Sequence, residues 1–218
     1  MKITKATGTA TTAAIRHIRS CVFMPKAVGD LRKQTCKDIL GDRGLCSSFR
    51  YKDSRINPLL EDMEIGVRVE RAEPKDLDEI YEIEVECFGR ESYSKWIYKW
   101  LLRDEKTIFL KAVKDDTILG FVVGRVEKFK KRFVGRIYTL NVRPELRGKG
   151  IGKLLMKIIE DSFKREGCEE IILEVAVDNL PALNLYRGMG YRFIEKLENY
   201  YGAGRDAYRA VKKLVNRS

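Results

Sequence analysis

From Val67 to Val215 the hydrophobic positions fall into regular periods, which they do not in the segment before. "VRVERA" alternates as a half-buried strand does. Pro74 opens a helix, "PKDLDEIYEIEVECF", with Leu77, Ile80, Ile83/Glu84 and Cys87/Phe88 at helical spacing, acids in its first turn and Gly89 as its stop. "SKWIYKWLLRD" reads as a second amphipathic helix. "TIFLKAVK" and "TILGFVVGRVEKF" read as strands joined at Asp115-Asp116, and "RFVGRIYTLNV" as another, running up to Pro144. From Gly150 to Arg165, Ile151, Leu154, Leu155, Ile158, Ile159 and Phe163 make one helical stripe, closed by Gly167. "EIILEVAV" is nearly continuously apolar, as a central strand covered on both faces would be. A short helix, "LPALNLYRGMG", and two strands, "YRFIEKLENYY" and "RDAYRAVKKLV", complete the chain. The order β-α-α-β-β-β-α-β-α-β-β predicts an α/β fold: a mixed sheet with helices on both faces.

The first stretch has no such rhythm. Met1 to Gly29 holds five Lys/Arg and no acid, and Gly41, Gly44, Ser47, Ser48 and Pro58 then interrupt any long helix. Residues 1–62 are expected to be an extension, disordered or loosely helical, ahead of a domain over 63–218. A chain begun upstream of a natural start at Met63, an organelle transit peptide and a docked extension all fit.

Composition narrows the function classes. The net charge is +11, but acids are interleaved with the bases along the chain, which describes a solvated surface better than a nucleic-acid footprint. No apolar run approaches the ~20 residues needed to cross a bilayer. The five cysteines lack zinc or disulfide spacing, so free thiols in a reducing cytoplasm are expected. A single histidine, His17, removes His-based metal sites and Ser-His-Asp triads.

One stretch asks for an anionic ligand. "NVRPELRGKGIGKLLM" puts glycines and positive charge at the mouth of the long helix. A helix start leaves backbone N–H groups unpaired and carries partial positive charge. Glycines let a ligand approach those groups, so a pyrophosphate would fit.

These residues resemble a known family. Arg147-Gly148-Lys149-Gly150-Ile151-Gly152 fits the Q/R-x-x-G-x-G/A signature of the GNAT superfamily of acetyltransferases. "LEVAVDNLPALNLYRGMGYRF" is similar to that family's second signature. "YYGAGRDAYR" and "RESYS" resemble segments of the branch that acetylates protein N-termini, which includes archaeal and eukaryotic α-amino acetyltransferases and the bacterial ribosomal-protein alanine acetyltransferase. The resemblance spans about residues 66–214.

The resemblance implies the GNAT fold, acetyl-CoA as cosubstrate without a metal, and protein N-termini as acceptors, those of ribosomal proteins among them. It implies that Arg147, Gly148, Lys149, Gly150, Ile151, Gly152 and Lys153 hold the pyrophosphate. Leu140, Asn141 and Val142 would offer a strand edge to the pantetheine arm, with the Val142 N–H facing the thioester oxygen. Asn179, by default a helix cap, would bind the same arm. Glu174 would be the general base, through water, for an α-amine whose pKa of about 7.7–8.0 leaves it mostly protonated at neutral pH. A carboxylate in so apolar a strand could equally reach solvent or pair with an arginine. Tyr186 would donate a proton to the leaving thiolate, or simply pack in the core. Glu91 and Tyr93, with Tyr200 and Tyr201, would wall a peptide slot, and Glu91 is a rival base. The family often carries Pro beside its Glu-x-Tyr segment, whereas here Gly89 and Ser94 flank it, which leaves substrate choice open. A small amine or a lysine side chain is the alternative acceptor. A non-enzymatic module binding acetyl-CoA or RNA is the alternative class.

Overall fold

The computed structural model describes residues 66–129 and 132–214; the proposed extension over 1–62 lies outside them. One seven-stranded sheet carries the fold, in the order β1-β2-β3-β4-β5-β7-β6. Its strands are β1 Arg68–Arg71, β2 Thr107–Lys114, β3 Thr117–Phe129, β4 Arg132–Val142, β5 Cys168–Ala176, β6 Arg192–Leu197 and β7 Ala207–Lys213. The helices are α1 Leu77–Phe88, α2 Lys95–Leu101, α3 Ile151–Arg165 and α4 Leu180–Gly188. The order read from periodicity is the observed one. Asp115 and Asp116 take positive φ of 48° and 59° in the β2–β3 turn, the geometry a tight hairpin needs.

Two cores form, one on each face of the sheet. Ile80 and Ile83 of α1 and Ile97, Tyr98 and Leu101 of α2 pack on Phe109, Phe121 and Val123. On the other face Leu155, Ile159 and Phe163 of α3 and Leu183 of α4 pack on Leu110, Val122, Ile137, Ile171 and Leu173. Two glycines bring α3 close. A Cβ on Gly135 would stand 2.5 Å from Phe163 Cγ, and one on Gly124 2.6 Å from Phe163 Cζ.

The strand fully covered on both faces is β2, buried from Thr107 to Val113, rather than β5. In β5 Ile171, Leu173 and Val175 are buried while Glu170, Ile172, Glu174 and Ala176 are only partly so. Among the described residues, the second face of β5 carries charged side chains instead of a helix.

The sheet divides between β4 and β5. Their parallel pairing runs only from Phe133↔Cys168 to Arg136↔Ile172. Beyond it β4 stays with β3 as far as Val142↔Gly120, and β5 stays with β7 as far as Ala176↔Ala207. One extra residue in β4, Tyr138, stands between the pairs Ile137↔Gly124 and Thr139↔Val123. Such a bulge bends and twists its strand, here just past the last β4–β5 rung. A wedge therefore opens between the two halves. No helix among the described residues is long and apolar enough to cross a membrane.

Candidate active site

One wall of the wedge is the free edge of β4. The Arg143 N–H donates to Leu119 O at 3.0 Å, so strand alternation turns the N–H and C=O of Val142 away from β3. The Val142 carbonyl accepts from Arg147 Nε at 3.3 Å and Cys87 Sγ at 3.5 Å. Asn141 departs from the expected picture. Its side chain is buried, 1% exposed, and donates to Glu84, and the same alternation turns its backbone N–H and C=O toward β3, so Asn141 presents no group to this edge.

The mouth of α3 adjoins that edge. A Cβ on Gly152 would meet Val142 Cγ2 at 3.7 Å and Leu140 Cδ2 at 3.8 Å. Gly148 and Gly150 hold φ of 78° and 86°, and nothing lies within 4 Å of where a Gly148 Cβ would stand. The first helical bond is Leu154 N–H to Gly150 O, which leaves the N–H groups of Ile151, Gly152 and Lys153 without a partner in the helix. Arg147, Lys149 and Lys153 are exposed around them. These residues fit a pyrophosphate laid against bare backbone amides.

Facing β4 across the wedge is Glu174, its side chain 4% exposed. Arg136 Nη1 donates to its Oε1 at 2.8 Å and its Oε2 at 3.1 Å, and Arg209 Nε donates to Oε1 at 3.1 Å. Arg209 stands directly opposite Glu174 in the β5–β7 register. Arg136 Nε also reaches Glu127 at 3.1 Å, and Arg209 Nη1 reaches Glu195 at 2.6 Å. Charge alternates across five adjacent strands: Glu127, Arg136, Glu174, Arg209, Glu195. Burial works against the charge on Arg136, but Glu174 and Glu127 outweigh it and hold its pKa above the ordinary arginine value. The arginine partner that the sequence allowed as a structural reason for Glu174 is present, twice.

The tyrosines converge beside this ladder. Tyr201 donates its hydroxyl to the Glu174 carbonyl at 3.1 Å and meets the Tyr200 ring edge-on at 4.9 Å. Its phenol lies within electrostatic reach of Tyr186, and Tyr93 within reach of Tyr201 and Tyr200. Burial pushes the phenols of Tyr93, Tyr186 and Tyr201 up, which keeps them protonated as donors. Tyr186 packs against Tyr191, and its hydroxyl makes no hydrogen bond among the described residues. Glu91 pairs with Arg205 through both carboxylate oxygens, Nη2 to Oε2 at 2.7 Å. This ties the segment between α1 and α2 to the β6–β7 loop. Asn179 caps α4, accepting from the Ala182 N–H at 3.2 Å.

Comparison with known proteins decides the family. Residues 77–191 match the model of the acetyltransferase (GNAT) family. The chain belongs to that family. As a GNAT member it is an acetyl-CoA-dependent acyltransferase. It is 34% identical to N-alpha-acetyltransferase 30 of Saccharomyces cerevisiae over 134 residues, 59% of this chain and 76% of the relative. It is 36% identical over 143 residues to an uncharacterized N-acetyltransferase of Methanocaldococcus jannaschii, covering 65% and 88%. Among solved structures, the NatC complex bound to Gag peptide and CoA aligns with a TM-score of 0.62 at 29% identity, over 68% of this chain and 99% of that one. The Escherichia coli ribosomal-protein-S18-alanine N-acetyltransferase shares the fold, with a TM-score of 0.60 at 18% identity over 70% and 97%.

Sequence reading missed four participants in this GNAT site: Arg136, Arg209, Arg205 and Glu84. Arg136 interrupts "FVGRIY" and Arg209 interrupts "AYRAV", so each is a charge inside a strand run. That signal could have marked them as unusual, but their partner depends on register.

Proposed function

We propose that this GNAT acetyltransferase moves the acetyl group of acetyl-CoA onto the α-amine of protein N-termini. The observation that carries the reading is the tie across the acceptor side. Glu91–Arg205 joins the segment that carries Tyr93 to the loop that carries Tyr200 and Tyr201, across 114 positions of sequence. Two segments held together in this way suit an extended chain end better than a lysine side chain. The relatives named N-alpha-acetyltransferase point the same way.

Each residue's part follows from its place. The amides at the mouth of α3 hold the pyrophosphate, and the Val142 N–H faces the thioester oxygen, where negative charge develops. Glu174 takes the proton of the attacking amine through a water. Oε2 is its available oxygen, since it has one partner at 3.1 Å while Oε1 has two. As the nitrogen–carbon bond forms and the carbon–sulfur bond breaks, Tyr186, held protonated by burial, gives its proton to the thiolate. Ribosomal proteins belong among the acceptors to be tried.

A mixed acceptor assay with coenzyme A release tests this. Peptides with a free α-amine, those of ribosomal proteins included, compete with amine-blocked peptides carrying lysine and with a polyamine. Acetylation confined to free α-amines is expected. Preference for lysine or the polyamine would replace the reading with the small-amine alternative. Coenzyme A binding without turnover on any acceptor would favour a non-enzymatic module.

A further inference from the structure

A second carboxylate, unused by the chemistry above, lies between the two halves of the site. Glu84 of α1 is 1% exposed, and no Lys or Arg pairs with it among the described residues. Three donors converge on it instead: the Tyr93 N–H on Oε1 at 2.8 Å, the Tyr98 hydroxyl on Oε2 at 2.7 Å, and Asn141 Nδ2 on Oε2. Asn141 Oδ1 in turn accepts from the Thr139 hydroxyl at 2.6 Å. Burying a carboxylate without a counter-ion is costly, and burial raises its pKa although the three donors oppose this.

The two ends of the chain of contacts matter. Asn141 lies between Leu140 and Val142, the edge that would take the acyl carrier. Tyr93 belongs to the segment that walls the acceptor slot, its ring edge-on to Tyr98 at 6.1 Å. Tyr98 is itself locked against Phe109 and Phe121, and Phe121 is the cross-strand partner of Asn141. One carboxylate thus holds the carrier strand and the slot wall in a single frame.

We infer that Glu84 is a positioning residue that couples acyl-carrier binding to the acceptor slot: filling the β4 edge steadies Asn141, and Glu84 passes that order to the Tyr93 amide. Coupling of this kind is reciprocal, so coenzyme A and acceptor peptide strengthen each other's binding. The inference builds on the N-terminal acceptor reading, but its central link, from β4 to Tyr93, does not require a peptide.

Two measurements test it. Hydrogen exchange at the Tyr93 amide is followed with and without coenzyme A, and peptide affinity is measured by calorimetry under the same two conditions. In the parent, coenzyme A is expected to slow the Tyr93 exchange and tighten peptide binding by about fivefold or more. Glu84→Gln, which sets an NH2 group among three donors, should abolish both effects while keeping coenzyme A affinity. Asn141→Ala cuts the same link from the β4 side and serves if Glu84→Gln does not fold. Tyr98→Phe, which lowers stability but leaves the link, should keep the coupling. Coupling undiminished in Glu84→Gln or Asn141→Ala, or a parent Tyr93 amide indifferent to coenzyme A, overturns the inference. A Tyr93 amide that responds while no peptide binds supports the link and overturns the acceptor reading.

Discussion

Arg136 and Glu174, 38 positions apart in sequence, meet at 2.8 Å just beyond the last rung joining β4 to β5. The contact spans the point where the sheet begins to divide, and it immobilises a carboxylate that faces the wedge. Removing one partner leaves the other poorly compensated. Arg136→Gln should therefore cost about 2–3 kcal/mol, less than a fully buried pair because Arg209 remains. Urea denaturation of Arg136→Gln, Glu174→Gln and the double variant should give a coupling energy of about 1 kcal/mol or more. Simple additivity would show the pair to be energetically idle.

The acid–base pair separates by pH. Glu174→Gln should slow turnover by about 10²-fold or more, and the defect should shrink above pH ~8, where the α-amine is already largely neutral. Tyr186→Phe should not be rescued, since its defect is in thiolate departure. Profiles from pH ~6 to ~9.5 on one peptide, with Glu91→Gln alongside, check this. A pH-rescued defect in Glu91→Gln alone would move the base to the other wall and leave Glu174 structural.

Coenzyme A should stabilise the fold by ~2.7 kcal/mol at a hundredfold excess over its dissociation constant. Gly150→Asp puts a side chain and a negative charge at a position whose φ is 86°. That variant should lose most of the thermal shift; an unchanged shift would mean that the phosphates bind elsewhere.

The contact of Phe163 with the sheet depends on a missing side chain. Gly135→Ala would place a methyl 2.5 Å from the Phe163 ring and should destabilise by about 1–3 kcal/mol. Combining it with Phe163→Leu should cost less than the two single changes added together, as read by thermal or urea unfolding.

Glu84 has its own pH signature. Its carboxyl pKa is raised in the folded state by burial, so the folded protein binds that proton more tightly than the unfolded chain does. Its contribution to stability is full below the unfolded value, ~4.3, and is lost as pH rises through the folded value. The stability of the parent relative to Glu84→Gln should therefore increase as pH falls from neutral toward ~4.3. A difference that stays flat or falls would refute the raised carboxyl.

The sequence by itself determined what depends on near neighbours. β2, β3 and β4 coincide with the segments read as strands, and the glycine mouth of α3 was legible because amide exposure and positive φ are local properties. The tertiary structure decided what those residues face. The wedge comes from one extra residue, Tyr138, in register with nothing on β3. The apolar look of β5 suggested cover on both faces, and only strand order showed that one face meets arginines from β4 and β7. Glu174 was conspicuous in sequence as a charge among apolar residues, yet its partners were not, because a side chain's neighbours across a sheet follow from register and topology. For the same reason the sequence could put Glu84 on the helical stripe of α1 but not say what it meets: the lack of a cation beside it among the described residues, and its hold on Asn141 and Tyr93, exist only once helix and sheet have packed.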